Sequence, residues 1–231
     1  MAAGEKTGEA PAVTAEGDLS APALARFFYL TRGLWNLALL GLALALKALA
    51  GSSVPPWAYG LLGAVVLATQ AWRIWAAGFV GRPARGGRPA GEALVTAGPY
   101  AYVRNPMYIG TVIGLLAFAG MSGLWYAVLA VAVMLALVYG GAVLQEEAFL
   151  SARFGEEYAR YREAVPRLLP AFPPHGKRRV HLPPPEAGPP SEEHRQADAR
   201  RGRFRLADGL ANEGGAVLFL PFFFALFWFV G

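Results

Sequence analysis

Two long apolar runs, residues 24–50 and 57–80, are separated only by Gly51-Ser-Ser-Val-Pro-Pro56. Each is long enough to cross a hydrocarbon layer as a helix, which takes about 20 residues. Inside that layer every backbone polar group needs a partner within the protein, so runs of this length and composition fold as helices. Hydrophobic residues make up 55% of the 231 residues and charged residues only 16%, too apolar for an ordinary soluble domain. The expectation is an all-α, polytopic membrane helix bundle with four or five transmembrane helices.

The remaining elements follow from local signals. Residues 1–22 are small, polar and weakly acidic and read as a disordered tail. Residues 81–91 are rich in Gly, Pro and Arg and read as a loop. A third helix is predicted over 106–120, with Asn105 as its N-cap residue and Pro106 at its first position. Met121-Ser-Gly123 allows only a tight reversal, so the fourth helix, 124–144, forms an antiparallel hairpin with the third. Residues 145–165 stay helical but become amphipathic: Glu147, Leu150, Phe154, Tyr158, Tyr161 and Val165 recur at spacings of three and four, which puts them on one face. Together, residues 23–170 form the expected membrane domain. Residues 171–213 hold many prolines and charges and few large apolar groups, the composition of a disordered linker. A last hydrophobic helix is expected over 214–230, kinked at Pro221.

Charge and residue usage narrow the chemistry. With no cysteine, thiolate metal sites and disulfides are excluded. All three histidines, His175, His181 and His194, fall in the polar linker, which leaves the apolar core without a histidine base or a histidine-held metal. The net charge of +5 follows membrane topology rather than nucleic-acid binding. With the N-terminus inside, every Lys and Arg of the 21 except Lys47 lies on the cytoplasmic side. Lys47 and Arg73, near helix ends, read as snorkelling residues, with an inward-facing Arg73 as the alternative. The run 200–205, Arg-Arg-Gly-Arg-Phe-Arg, suits anionic lipid headgroups.

Two polar clusters meet the same cytoplasmic border. The first is Gly98-Pro-Tyr-Ala-Tyr-Val-Arg-Asn-Pro-Met-Tyr-Ile-Gly110. Here a helix N-terminus offers free N–H groups and a partial positive charge, with the Arg104 guanidinium beside it. Tyr100, Tyr102 and Tyr108 add flat faces with hydroxyl tips, and Gly110 lets a ligand or another helix approach. The second cluster is Glu146-Glu147, two carboxylates that need partners at an apolar border. The two suit a ligand carrying a carboxylate, an ammonium, a ribose and a cation, as S-adenosylmethionine does. They equally suit a plain interfacial salt bridge from Arg104 to Glu146 or Glu147, with the tyrosines as interfacial belt residues.

Four motifs in this order resemble the isoprenylcysteine carboxyl methyltransferase-like family, to which phospholipid N-methyltransferases are related: residues 98–110 as above, Glu146-Glu147-x-x-Leu150, Phe154-Gly155-x-x-Tyr158-x-x-Tyr161, and Val165-Pro-Arg-Leu-Leu-Pro170. The resemblance covers about residues 90–170. It implies an integral membrane methyltransferase that uses S-adenosylmethionine at the cytoplasmic face of the bacterial inner membrane, with no metal and no nucleic acid. Carried over by position, Tyr100, Arg104, Asn105, Pro106, Tyr108 and Gly110 would form one half of the cofactor pocket and Glu146 and Glu147 the other. Arg104 and Asn105 would stand nearest the chemistry. Tyr158, Tyr161 and Arg167 would close the pocket or border the entrance for a lipophilic or small-molecule acceptor. Asn105 stands where the family usually has His, and cannot take up a proton near neutral pH. That leans toward carboxyl O-methylation over N-methylation, because a carboxylate acceptor needs no base. A lipid-amine N-methyltransferase, a sterol-type reductase and a non-catalytic scaffold or transporter remain as alternatives, although charges gathered at helix ends argue against transport.

The absence of native cysteine makes the expected orientation directly testable. In intact cells, a Ser53→Cys variant should react with a membrane-impermeant maleimide, whereas Gly87→Cys should react only after lysis. The reverse pattern would invert the topology.

Overall fold

A computed structural model describes residues 22–80, 94–174 and 204–230, and these are helical with short connections. The five helices are α1 (Ala23–Ala50), α2 (Pro56–Val80), α3 (Pro106–Gly120), α4 (Trp125–Ala164) and α5 (Leu206–Phe229), with a 3-10 turn at Gly98–Ala101 before α3. The 1–22 tail (apart from Pro22), the 81–91 loop and residues 175–203 of the expected linker lie outside the described residues.

Local chemistry explains the boundaries. Gly51 ends α1 in the left-handed region (φ 58), and its N–H returns to the Lys47 carbonyl. Pro56 opens α2 and Pro106 opens α3, positions where the missing N–H would be unpaired anyway. Between α3 and α4 the chain reverses over Met121-Ser-Gly123, with Gly123 at φ 73 and Ser122 Oγ accepting the Leu124 N–H at 3.2 Å. Ser52 Oγ donates to the Ser122 carbonyl and ties the two turns at that end together.

The helices form a bundle in which α2 packs between α3 and α5, while α4 packs on α3 and α1. Leu39, Val66, Phe118, Met121, Leu135 and Phe227 meet in its core. The outside is apolar as well. Leu30, Leu34 and Leu37 on α1, and Leu129, Val133 and Leu137 on α4, are each more than half exposed and share a helix face. A helix apolar all round belongs in lipid. α1, α2 and α4 are long and apolar enough to cross a membrane, and so is α5 when its two segments, Leu206–Gly215 and Leu220–Phe229, are taken as one span bent by 42°. Pro221 follows directly on this bend; it lacks an N–H and crowds the preceding turn. α3, with 15 residues, rises only about 22 Å.

Three expectations change. The last helix begins at Leu206 rather than at 214, so residues 206–213 are helix and not linker. Its first turns lie on α2, where Gly209 backs onto the Ile74 carbonyl and Gly78 onto Phe204. Second, residues 145–164 are not a smooth amphipathic continuation of α4. The axis breaks at Gly155 (φ 49, ψ −120), a conformation open to glycine and strained for other residues. The break turns Tyr158, Tyr161 and Ala164 into a small core with Leu94 and Val165. Third, Lys47 and Arg73 do not snorkel. Lys47 is buried, with its ammonium on the Ser52 carbonyl at 3.1 Å, and Arg73 points into the bundle.

The close approach at Gly209 predicts a position-specific effect. Gly209→Ala would press a methyl group into backbone and should cost about 1–3 kcal/mol. Gly214→Ala, one turn on, meets open space and should be neutral or better. Thermal unfolding of the two variants in detergent measures the difference.

Candidate functional site

The end of the bundle that holds the α3 N-terminus collects most of the polar side chains. Segment 98–104 is held from below by the chain that follows α4. The Arg104 N–H donates to the Pro166 carbonyl at 2.9 Å, and the Ala171 N–H donates to the Tyr102 carbonyl at 2.9 Å. Tyr161 Oη, placed by the break at Gly155, donates to the Tyr100 carbonyl at 2.7 Å. Four backbone-level ties thus join two stretches distant in sequence, since Asn105 Nδ2 also donates to the Arg167 carbonyl at 3.2 Å. That last bond is where the structure departs from the capping expectation. Asn105 occupies the N-cap position, but its side chain makes no capping bond and reaches across to Arg167 instead.

Glu147 is the electrostatic centre. Arg167 clasps it with Nε to Oε1 at 3.0 Å and Nη2 to Oε2 at 2.6 Å, the paired geometry that a guanidinium favours. These bonds raise the Arg167 pKa above its ordinary value, with burial working against them. Arg104 Nη1 lies 3.4 Å from Glu147 Oε1, an ion-pair distance without hydrogen-bond geometry. The Arg104 side chain is only 9% exposed, and its Nε and Nη1 are buried with no hydrogen-bond partner. Tyr158 is hydrogen-bonded to the same guanidinium. Two buried N–H donors of a cation are thus left unused beside a helix N-terminus.

The adjacent carboxylate faces elsewhere. A step of one residue turns a helix by 100°, so Glu146 and Glu147 cannot share a target. Glu146 is hydrogen-bonded to Tyr108 and lies near Arg32 of α1, whose guanidinium also stacks 4.2 Å over the Tyr29 ring. The Tyr108 ring rests against Tyr139 with centroids 5.3 Å apart, and Tyr139 Oη donates to Asn36 at 2.9 Å. Burial pushes the Tyr100 phenol well above its ordinary pKa, with Glu146, Tyr161 and Glu213 adding to the shift, so Tyr100 stays neutral at any physiological pH.

Tyr100, Arg104, Asn105, Tyr108, Glu146, Glu147, Tyr158, Tyr161 and Arg167 are therefore brought to one end of the bundle, in two polar groups centred on Glu147 and Glu146. Pro106 and Gly110 turn the other way. The Pro106 carbonyl accepts Trp72 Nε1–H at 2.8 Å, and a Cβ on Gly110 would lie 2.7 Å from Arg73 Cγ. Of the two uses foreseen for Gly110, close approach of a helix is the one seen. An open cleft of about 370 Å³ lies nearby, lined by Arg162, Glu163, Val165, Pro166 and Leu169 among others, but none of the residues expected to hold the cofactor borders it.

Sequence reasoning missed Arg32 and Asn36 of α1, Trp72 of α2 and, above all, Glu213. Glu213 is 4% exposed, 2.7 Å from Arg73 Nη2, and accepts Gln70 Nε2–H at 3.2 Å. A usable signal existed: one carboxylate at the head of an apolar run and one guanidinium within another require each other.

Residues 57–157, from the start of α2 to just past Gly155, match the family model described as phospholipid methyltransferase. Eighty residues are 38% identical to the protein-S-isoprenylcysteine O-methyltransferase of Schizosaccharomyces pombe, covering 35% of this chain and 34% of that protein. The matched core is thus similar to the isoprenylcysteine carboxyl methyltransferase-like family. Two bacterial relatives agree in extent. The cobalt-zinc-cadmium resistance protein CzcN of Cupriavidus metallidurans is 33% identical over 48% of this chain and 47% of its own length. The nickel-cobalt-cadmium resistance protein NccN of Alcaligenes xylosoxydans xylosoxydans is 35% identical over 47% of this chain and 49% of its own. The chain thus spans about half or less of the length of these relatives, and no solved structure matches it. The family match contains Arg104 and Glu147 but neither Arg167 nor α5.

The burial of Glu147 between two guanidiniums sets an order of stabilities. Glu147→Gln leaves Arg104 as a buried, uncompensated cation and should cost about 3 kcal/mol. Arg167→Ala, at a side chain 47% exposed, leaves the Arg104–Glu147 pair and should cost about 1 kcal/mol or less. Thermal midpoints of the purified variants test that order.

Proposed function

We propose that the chain is an S-adenosylmethionine-dependent integral membrane methyltransferase that acts on a lipophilic or small carboxylate acceptor at the cytoplasmic membrane face. The observation that carries the reading is Arg104, whose buried Nε and Nη1 have no hydrogen-bond partner while Glu147 stands 3.4 Å away. An arginine with two idle donors beside a helix N-terminus fits the carboxylate of an amino-acid-like ligand. A carboxylate next to it fits the ammonium or ribose hydroxyls of the same ligand. The donor set therefore fits the cofactor, and the family match adds independent support.

When bound, the cofactor supplies an electrophilic methyl group on a sulfonium. The residues then divide their work. Arg104 holds the carboxylate. Glu147 becomes available to the ammonium or ribose when Arg167, its more exposed partner, releases it. Tyr100 and Tyr108 offer neutral aromatic faces beside them. Asn105 tethers Arg167 through its backbone carbonyl, while Pro106 and Gly110 seat the first turn of α3 against α2. Tyr158 and Tyr161 support Arg104 and the 98–101 turn from beneath. The protein contributes orientation and exclusion of water rather than a proton acceptor. Because Asn105 cannot act as a base, an already anionic carboxylate is the favoured acceptor.

The description of the matched family model favours a second reading, methylation of a lipid amine. There the carboxylate of Glu146, hydrogen-bonded to Tyr108, is the group able to receive a proton.

Calorimetry in detergent should show binding of S-adenosylmethionine by the wild type, and binding about 10- to 100-fold weaker by Arg104→Ala, the loss expected for charge-assisted hydrogen bonds. Equal affinity would remove Arg104 from the site. Labelling membranes with methyl-labelled cofactor separates the two acceptors, since esters release the label in base and methylamines keep it.

A further inference from the structure

Arg73 joins two helices at once. Its Nη2 lies 2.7 Å from Glu213 Oε2 of α5, and its Nη1 donates to Thr111 Oγ1 of α3 at 2.7 Å. Thr111 in turn donates to the Met107 carbonyl at 3.0 Å. The preceding residue, Trp72, donates to the Pro106 carbonyl, and Gly110 lies directly against Arg73. One turn of α2 therefore grips residues 106–111, the turn immediately behind Arg104 and Asn105. Glu213 supplies the counter-charge for that grip and is itself almost fully buried.

Docking α5 does not require these charges. Phe223, Phe224 and Phe227 already pack on Phe118, Tyr59 Oη reaches the Phe224 carbonyl, and Gly209 allows close contact with α2. A buried ion pair adds little to stability over apolar packing, whereas an ionisable residue kept within a membrane segment marks a working part.

We propose that Glu213 is a positioning residue for the cofactor site: through Arg73 it holds the first turn of α3, and with it Arg104, in the orientation that binds the methyl donor. This rests on the reading that Arg104 holds the cofactor's carboxylate. It makes α5, which lies beyond the family match, a component of the site. Without the Glu213 carboxylate, Arg73 is a partly buried cation that has lost its counter-charge. It must then shift toward water or another carboxylate, and Thr111 loses its donor.

The test uses the full chain in nanodiscs, with S-adenosylmethionine binding by calorimetry and amide hydrogen exchange as separate readouts. Glu213→Gln is expected to weaken binding about 10-fold and to speed exchange over 98–111, leaving the far end of α1 unchanged. Glu213→Asp, which keeps the charge, should recover most of the affinity. Wild-type affinity and wild-type exchange over 98–111 in Glu213→Gln would reduce the pair to an anchor for α5 and overturn the proposal. Should the single variant fail to fold, the Arg73→Gln/Glu213→Gln pair removes both charges together; weakened binding and faster exchange over 98–111 support the proposal, and wild-type values overturn it. Exchange is read without cofactor. A wild type that binds no S-adenosylmethionine would therefore end the cofactor reading, while the exchange result still decides whether Glu213 controls the α3 turn.

Discussion

A charge in an apolar layer must be met by an opposite charge or a polar group, and the geometry of this protein follows from how few charges it places there. Glu147 is the case on which most depends. Its carboxylate is shared by Arg104, which lies just before α3, and by Arg167, which follows α4, so one side chain joins the two ends of the segment that carries the family motifs. The backbone ties around it, from Arg104 to Pro166 and from Tyr102 to Ala171, would be weak individually at a wet border. Organised about a buried ion cluster, they hold the 98–104 segment as a floor under the α3 N-terminus.

The same constraint accounts for the uneven distribution of polar contacts. On the outward faces of α1 and α4 there are leucines and valines, which ask nothing of lipid. Inward, polar side chains pair across helices. Glu213 reaches Arg73, Arg73 reaches Thr111, and Tyr139, near Thr111 on the opposite side, reaches Asn36. This sequence of contacts touches each of the five helices among the described residues. A bundle held in register by such pairs keeps a short helix such as α3 in place, although its own length is less than a full crossing.

Much of this was legible in the residues themselves. Apolar runs, prolines at helix starts and glycine-rich turns locate α1 to α3 and the start of α4 to within a residue or two, because each signal acts locally. The stripe Glu147, Leu150, Phe154, Tyr158, Tyr161 and Val165 does pack together beyond Glu147, but only because the axis breaks at Gly155, which periodicity alone does not reveal. Arg104 and Glu147 were legible as complementary groups. That Asn105 would forgo capping to hold Arg167, or that Glu146 and Glu147 would serve different partners, depended on contacts with residues far from them in sequence.

By itself the sequence determined that this chain is a helical membrane bundle and that its polar chemistry gathers at one border, since length, hydropathy and motif order are properties of single segments. The tertiary structure alone decided which charge meets which. Arg73 looked like a residue that would reach for water, and Glu213 like part of a charged linker. Their pairing arises because α5 starts earlier than its hydropathy suggests and runs antiparallel along α2, which brings residues 143 apart in sequence, Gln70 and Glu213, within hydrogen-bonding distance. Buried charges choose partners by distance in space, and that distance exists only once the helices have packed.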